Sequence, residues 1–176
     1  MPGVKLNLIY FLLLLPLTWM TAQNVQWITW DQMVEKSKLE KKKIIVDIFT
    51  EGCMPCKNMD LTTFANDKVA STMNSCYYAV KFDAKQKKEM QYKNKSYDYN
   101  CDYGTCFHSL AFELTSGQLS FPSVVFLDEN FNIVQQLPNY QEAGYFHNVM
   151  GWVCQNYYKK MPFKTYEGIM KNKNKH

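Results

Sequence analysis

The sequence contains no arginine, and all twenty of its basic residues are lysine. Two-pronged recognition of phosphates and base edges favours the guanidinium fork, so a nucleic-acid role is disfavoured. Beyond residue 20 no stretch is long and apolar enough to span a bilayer, so no stable membrane insertion is expected of the mature chain. No cysteine lies near the end of the first apolar run, which leaves a lipid-modified N-terminus without an attachment point. Internal repeats are absent, and no second C-x-x-C accompanies the first. His108 and His147 stand alone, without ligand-like spacing, and read as structural.

What is present begins with a leader. One charge, Lys5, precedes an apolar run from Leu6 to Met20, and Thr21-Ala22-Gln23-Asn24 follow. That is the layout of a secretory signal peptide over 1–22, with the cut expected after Ala22. The run is shorter than the roughly 20 residues a spanning helix needs. Cleavage removes one positive charge, Lys5, from a chain of net charge +4. The expected location is extracytoplasmic. The remaining ~150 residues suffice for one domain with a real core, expected over 23–158. The lysines of 159–176 read as a loosely held, solubilising tail.

Within the domain, Asp31 is suited to cap a helix running through Lys38. Ile44-Ile45-Val46-Asp47-Ile48-Phe49 is a nearly continuous apolar run, as expected of a central strand buried on both faces. A helix is expected from Cys53, and another after Asn66-Asp67. Tyr77 to Asp83 alternates as a strand should. From Lys85 to Tyr103 the chain is polar and without a clear period, so an excursion from the core is expected over about 85–120. A short helix is expected over Phe107–Leu114. Ser123–Leu127 and Asn132–Gln135, joined by Asp128-Glu129-Asn130, predict a β-hairpin. The last helix is expected from about Gln141 to Tyr158. Strands alternating with helices and closing in a hairpin and a helix predict an α/β domain, a mixed sheet flanked by helices.

The chemistry concentrates at Cys53-Met54-Pro55-Cys56, which follows the buried strand and opens a helix. Disulfide exchange needs two thiols about one helical turn apart, the first of them partly ionised. Unpaired N–H groups at a helix start favour a negative charge there. Position therefore makes Cys53 the attacking thiol and Cys56 the resolving one. Pro55 is tolerated in a first helical turn. Two other readings stand beside redox chemistry. One is a structural disulfide. The other is a zinc site in which Cys101 and Cys106 join Cys53 and Cys56.

Four segments, taken in order, resemble the thioredoxin-like family. Val46-Asp47-Ile48-Phe49-Thr50-Glu51-Gly52-Cys53-Met54-Pro55-Cys56-Lys57 is similar to its strand and active-site motif, with an acid six residues before the first cysteine. Val80-Lys81-Phe82-Asp83 resembles the next core strand with its buried lysine. Phe121-Pro122-Ser123-Val124-Val125-Phe126 resembles the segment where a cis-proline opens the hairpin. Thr63-Phe64-Ala65-Asn66-Asp67-Lys68-Val69 looks most like exported bacterial relatives, including the C-terminal thioredoxin-like domain of the transmembrane disulfide reductase. The resemblance covers roughly 27–158, with 85–120 aligned only loosely, and implies a thioredoxin fold with an insertion before the cis-proline hairpin. Two departures stand out: Gly52 replaces the family's tryptophan, and Met54-Pro55 replaces its Gly-Pro.

The resemblance implies roles for more residues. Asp47, a carboxyl in an apolar strand, should have a raised pKa and accept the proton of Cys56, with Lys81 making the buried charge tolerable. Pro122 should be cis, and the backbone of Phe121 should bind an extended substrate segment. Met54 and Pro55 complete the substrate-facing set. Cys101 and Cys106 are expected to form a local structural disulfide. Cys76 and Cys154 either pair or remain buried thiols. The function expected is thiol–disulfide exchange, reductive rather than oxidative, without cofactor or resident metal. Expected partners are thiols and disulfides of exported proteins and a membrane or periplasmic redox protein. The alternative is a non-catalytic thioredoxin-fold binding module whose cysteines serve structure or bind zinc.

Overall fold

The computed structural model describes residues 24–102 and 105–173. The expected leader, 1–22, and the last three residues of the lysine tail lie outside the described residues. Among those described, no helix is long and apolar enough to cross a membrane.

Five strands form the central sheet: β1 (Trp27–Ile28), β3 (Tyr77–Asp83), β2 (Lys43–Phe49), β8 (Ser123–Leu127) and β9 (Ile133–Pro138), in that spatial order. The first three are parallel, β8 runs against them, and β9, antiparallel to β8, runs in their direction. Alternating side chains divide β2 between two cores. Ile45 faces one, while Ile44, Val46 and Ile48 face the other. β8 does the same with Val124 and Phe126 against Val125 and Leu127. One core lies under α3 (Asp67–Cys76) and α5 (Ala143–Cys154), the other under α1 (Trp30–Leu39) and α4 (Ser109–Leu114). Lys43 begins β2 and is buried, its ammonium 2.6 Å from Glu129 in the β8–β9 turn.

The cap of α1 is Thr29 rather than Asp31. The Thr29 hydroxyl accepts the Gln32 N–H at 3.2 Å, and Gln32 Oε1 accepts the Thr29 N–H at 2.9 Å. This reciprocal box satisfies two otherwise orphaned amides, and Asp31 sits inside the first turn, where its charge suits the helix dipole. Asn66 caps α3 through Lys68 and Val69. α2 (Met54–Met59) runs directly into a wider π-type turn, Asp60–Phe64.

Further expectations change. The polar stretch after β3 is not an unstructured excursion. It folds into two hairpins, β4 (Met90–Tyr92) with β5 (Lys95–Tyr97), and β6 (Tyr99–Asp102) with β7 (Thr105–His108). Met90 and Tyr92, two apart on one strand face, are buried beside Trp30. Strands of three or four residues are too short to show a period. The helix expected over Phe107–Leu114 starts only at Ser109, because Phe107 and His108 complete β7.

The tail is not loose either. α5 stops at Cys154, and α6 (Phe163–Lys173) packs back on it. Tyr166 is 4% exposed, and the Trp152 indole N–H donates to the Met161 carbonyl at 2.9 Å. The apolar residues Met161, Phe163, Tyr166 and Met170 drive this docking, although lysines surround them in sequence.

Candidate active site

β2 ends at Phe49, and Thr50, Glu51 and Gly52 carry the chain to Cys53. Gly52 has φ +78°, in the left-handed region that favours glycine, which gives a backbone reason for its place before Cys53. Cys53 is the N-cap of α2, and its sulfur accepts the Cys56 backbone N–H at 3.1 Å. Cys53 is partly exposed, whereas Cys56 is 5% exposed, and the two are joined as a disulfide. Met54, 69% exposed, and Pro55 project from the same turn.

Behind this turn lies a charged cluster. Asp47, 1% exposed, stands in register with Lys81 on β3, and its Oδ2 is 2.7 Å from the lysine Nζ. Asp47 Oδ1 is buried without a hydrogen-bond partner among the described residues, as is Thr50 Oγ1. Burial pushes the Asp47 carboxyl up from 3.8 to about 6. Lys81 pulls against that shift, and Asp60 adds a smaller push upward. Lys81 is shared with Asp60, which pairs with the same ammonium from the first residue of the π-type turn. Burial would push Lys81 down, but the charges and hydrogen bonds of Asp47 and Asp60 together hold it above its ordinary value. The rings of Trp27, Phe49 and Phe64 lie 4.8, 5.2 and 5.3 Å from the ammonium and enclose it further.

The Phe121–Pro122 bond is cis. Ser123, the next residue, pairs with Ile48, so this loop meets the sheet at the end from which β2 leads to Cys53. Pro122 is buried and Phe121 half-buried. The structure therefore gathers Cys53, Cys56, Asp47, Lys81, Phe121 and Pro122 at one end of the sheet. Asp60 and Trp27 belong to the cluster and escaped the sequence reading. Asp60 had one signal, its place one helical turn beyond Cys56; Trp27 had none.

The six cysteines form three bonds, Cys53–Cys56, Cys76–Cys154 and Cys101–Cys106. Cys101 and Cys106 face each other across β6 and β7 and do not join Cys53 and Cys56 in a four-sulfur cluster. Among the described residues no group of three or more His, Cys, Asp or Glu is arranged to hold a metal. His108 caps α4, its Nδ1 accepting the Leu110 N–H at 3.1 Å, and His147 lies 3.2 Å from the Thr72 hydroxyl.

The Thioredox_DsbH profile, described as a protein of unknown function, DUF255, matches residues 16–129. The chain belongs to the Thioredox_DsbH family. Solved structures share its architecture at low identity. A protein titled DsbH oxidoreductase aligns at 20% identity and TM-score 0.51, covering 78% of this chain and 90% of its own. A thioredoxin-fold protein from Helicobacter pylori aligns at 15% identity and TM-score 0.54, covering 83% and 89%. A thioredoxin from Thermus thermophilus aligns at 14% identity and TM-score 0.56, covering 74% and 88%. These likenesses establish a thioredoxin fold. Curated protein sequences contain no match to the chain. The Thioredox_DsbH match spans Asp47, Cys53, Cys56, Lys81, the Cys101–Cys106 hairpin and Pro122, and ends before α5 and α6.

Proposed function

We propose that this Thioredox_DsbH protein is a thiol–disulfide oxidoreductase that reduces disulfides of exported proteins in an extracytoplasmic compartment. One observation carries the reading: the Cys53 sulfur caps a helix and accepts an amide hydrogen on a partly exposed residue, while Cys56 is buried. That amide and the helix start favour the thiolate of Cys53.

In the reduced protein the Cys53 thiolate attacks a substrate disulfide. One substrate sulfur leaves as a thiolate and the other stays bonded to Cys53. Cys56 then gives its proton to the Asp47 carboxylate, directly or through a water, and attacks the Cys53 sulfur. The second substrate thiolate leaves, and two electrons have passed to the substrate. Lys81 and Asp60 act as positioning residues that set the proton affinity of Asp47. The backbone beside cis-Pro122 receives the substrate segment as an added strand, with Phe121, Met54 and Pro55 in apolar contact. Electrons return to Cys53–Cys56 from a membrane or periplasmic redox protein.

The test is disulfide reduction in a model protein substrate. Cys53→Ser is expected to abolish turnover, and Cys56→Ser to accumulate mixed disulfides visible by non-reducing electrophoresis. A Cys56→Ser chain that turns over normally would refute the assignment of roles.

A further inference from the structure

The hairpin disulfide Cys101–Cys106 ties two strands that need little tying. Cys101 and Cys106 are direct partners in the β6–β7 register, within strands that pair from Tyr99–His108 to Asp102–Thr105. A bond across residues that backbone pairing holds opposite each other adds little constraint to the fold. Cys76–Cys154 differs, since it links α3 to α5 across 78 residues of sequence. Cys101 is also exposed and Cys106 partly so, which leaves both sulfurs open to a thiolate.

The hairpin stands at the end of the sheet that carries the reactive pair. The Ala84 N–H donates to the Phe49 carbonyl at 2.8 Å, and the His108 N–H donates to the Ala84 carbonyl at 2.7 Å. Phe49 is four residues before Cys53, and His108 is two residues after Cys106. Ala84 alone therefore separates the base of the hairpin from the strand leading to Cys53. β7 runs toward this anchor, with Cys106 two residues from it along the strand and Cys101 paired opposite Cys106.

We propose that Cys101–Cys106 is a second redox pair that exchanges electrons with Cys53–Cys56 within one molecule. This rests on Cys53 being the nucleophile described above. The Cys53 thiolate attacks the Cys101 sulfur, the Cys101–Cys106 bond breaks, and Cys106 leaves as a thiolate that takes up a proton. Cys56 loses its proton to Asp47 and attacks Cys53, and Cys101 leaves as a thiolate that is protonated in turn. One disulfide is formed and one reduced, and the two pairs together hold four electrons.

The test follows each pair separately in the full chain. Oxidised protein is treated with dithiothreitol, quenched in acid and alkylated, and the two cysteine-pair peptides are quantified by mass spectrometry. Opening of Cys101–Cys106 is expected to be at least ~10-fold slower in a Cys53→Ser/Cys56→Ser chain than in the unaltered chain. Its rate in the unaltered chain should not depend on protein concentration, and Cys56→Ser should yield a Cys53–Cys101 linked peptide. Equal opening rates in the two chains, or a rate proportional to protein concentration, overturn the inference. Reduction of an external protein disulfide separates the two failures. If Cys53→Ser/Cys56→Ser loses that activity yet opens Cys101–Cys106 at the unaltered rate, the active-site reading stands and the relay falls. If it keeps that activity, both fall.

Discussion

Asp47 is the residue at which stability and chemistry pull apart. Its carboxyl is buried among apolar neighbours, with one oxygen on Lys81 and the other without a partner among the described residues. The folded value, about 6, exceeds the ordinary 3.8. Stability linked to this proton is therefore full below about pH 4 and is lost as pH rises through about 6, a change of roughly 3 kcal/mol. Asp47→Asn is expected to raise stability by about 1–3 kcal/mol at pH 7.5, measured by urea unfolding, with the gain fading by pH 4. Lys81 keeps Asp60 as a partner in that variant. Resolution of the mixed disulfide should speed up through pH 6 in the unaltered chain. In Asp47→Asn it should be roughly 100-fold slower and flat in that range. A variant that retains the pH-dependent rise removes Asp47 from the proton path. The sequence showed Asp47 because a charge inside an apolar strand is conspicuous, and Lys81 through the resemblance of Val80-Lys81-Phe82-Asp83 to a thioredoxin-like core strand. Asp60 stayed hidden, since an acid on a polar helix face looks like any solvated residue until the π-type turn aims it at Lys81.

Legibility of the elements followed the strength of their local pattern. β2, β3 and β8 were plain, because strands in the sheet interior bury whole apolar runs or alternate cleanly. β1 has two residues and exists only by pairing with β3, so nothing local announces it. The β4–β5 turn is Lys93-Asn94, both residues at positive φ, a type I′-like geometry usually signalled by Asn-Gly. The docking of α6 was equally unreadable, because it rests on a close approach to another helix. A Cβ placed on Gly151 of α5 would lie 2.8 Å from the Tyr166 hydroxyl oxygen. Gly151→Ala is expected to cost about 1–3 kcal/mol in chemical denaturation, and adding Tyr166→Phe should recover most of it. Full additivity of the two substitutions would show that α6 does not press on α5 at this point.

For the whole molecule, the bond with the largest leverage is not the reactive one. Cys76–Cys154 fastens the helix that follows the active-site helix to the helix that follows the sheet. Closing a loop of that length is worth about 4 kcal/mol in the chain-entropy picture, against about 2 kcal/mol or less for a short loop like that of Cys101–Cys106. Cys76→Ser/Cys154→Ser is expected to lower unfolding stability by about 2–5 kcal/mol while leaving disulfide exchange at Cys53 intact near room temperature. Loss of exchange in a chain still folded by circular dichroism would tie the clamp to the chemistry. Sequence spacing left this pair open, since either fate suited two cysteines flanking helices, and only the packing of α3 against α5 decides it.

The sheet's other end offers a practical handle. There Lys43 and Glu129 close the start of β2, and Leu39, 92% exposed, marks the end of α1. A dye, resin or fusion partner attached at residue 39 would hang from the pole opposite Cys53 and Cys56. An immobilised preparation built that way should keep its reactive face turned to the medium.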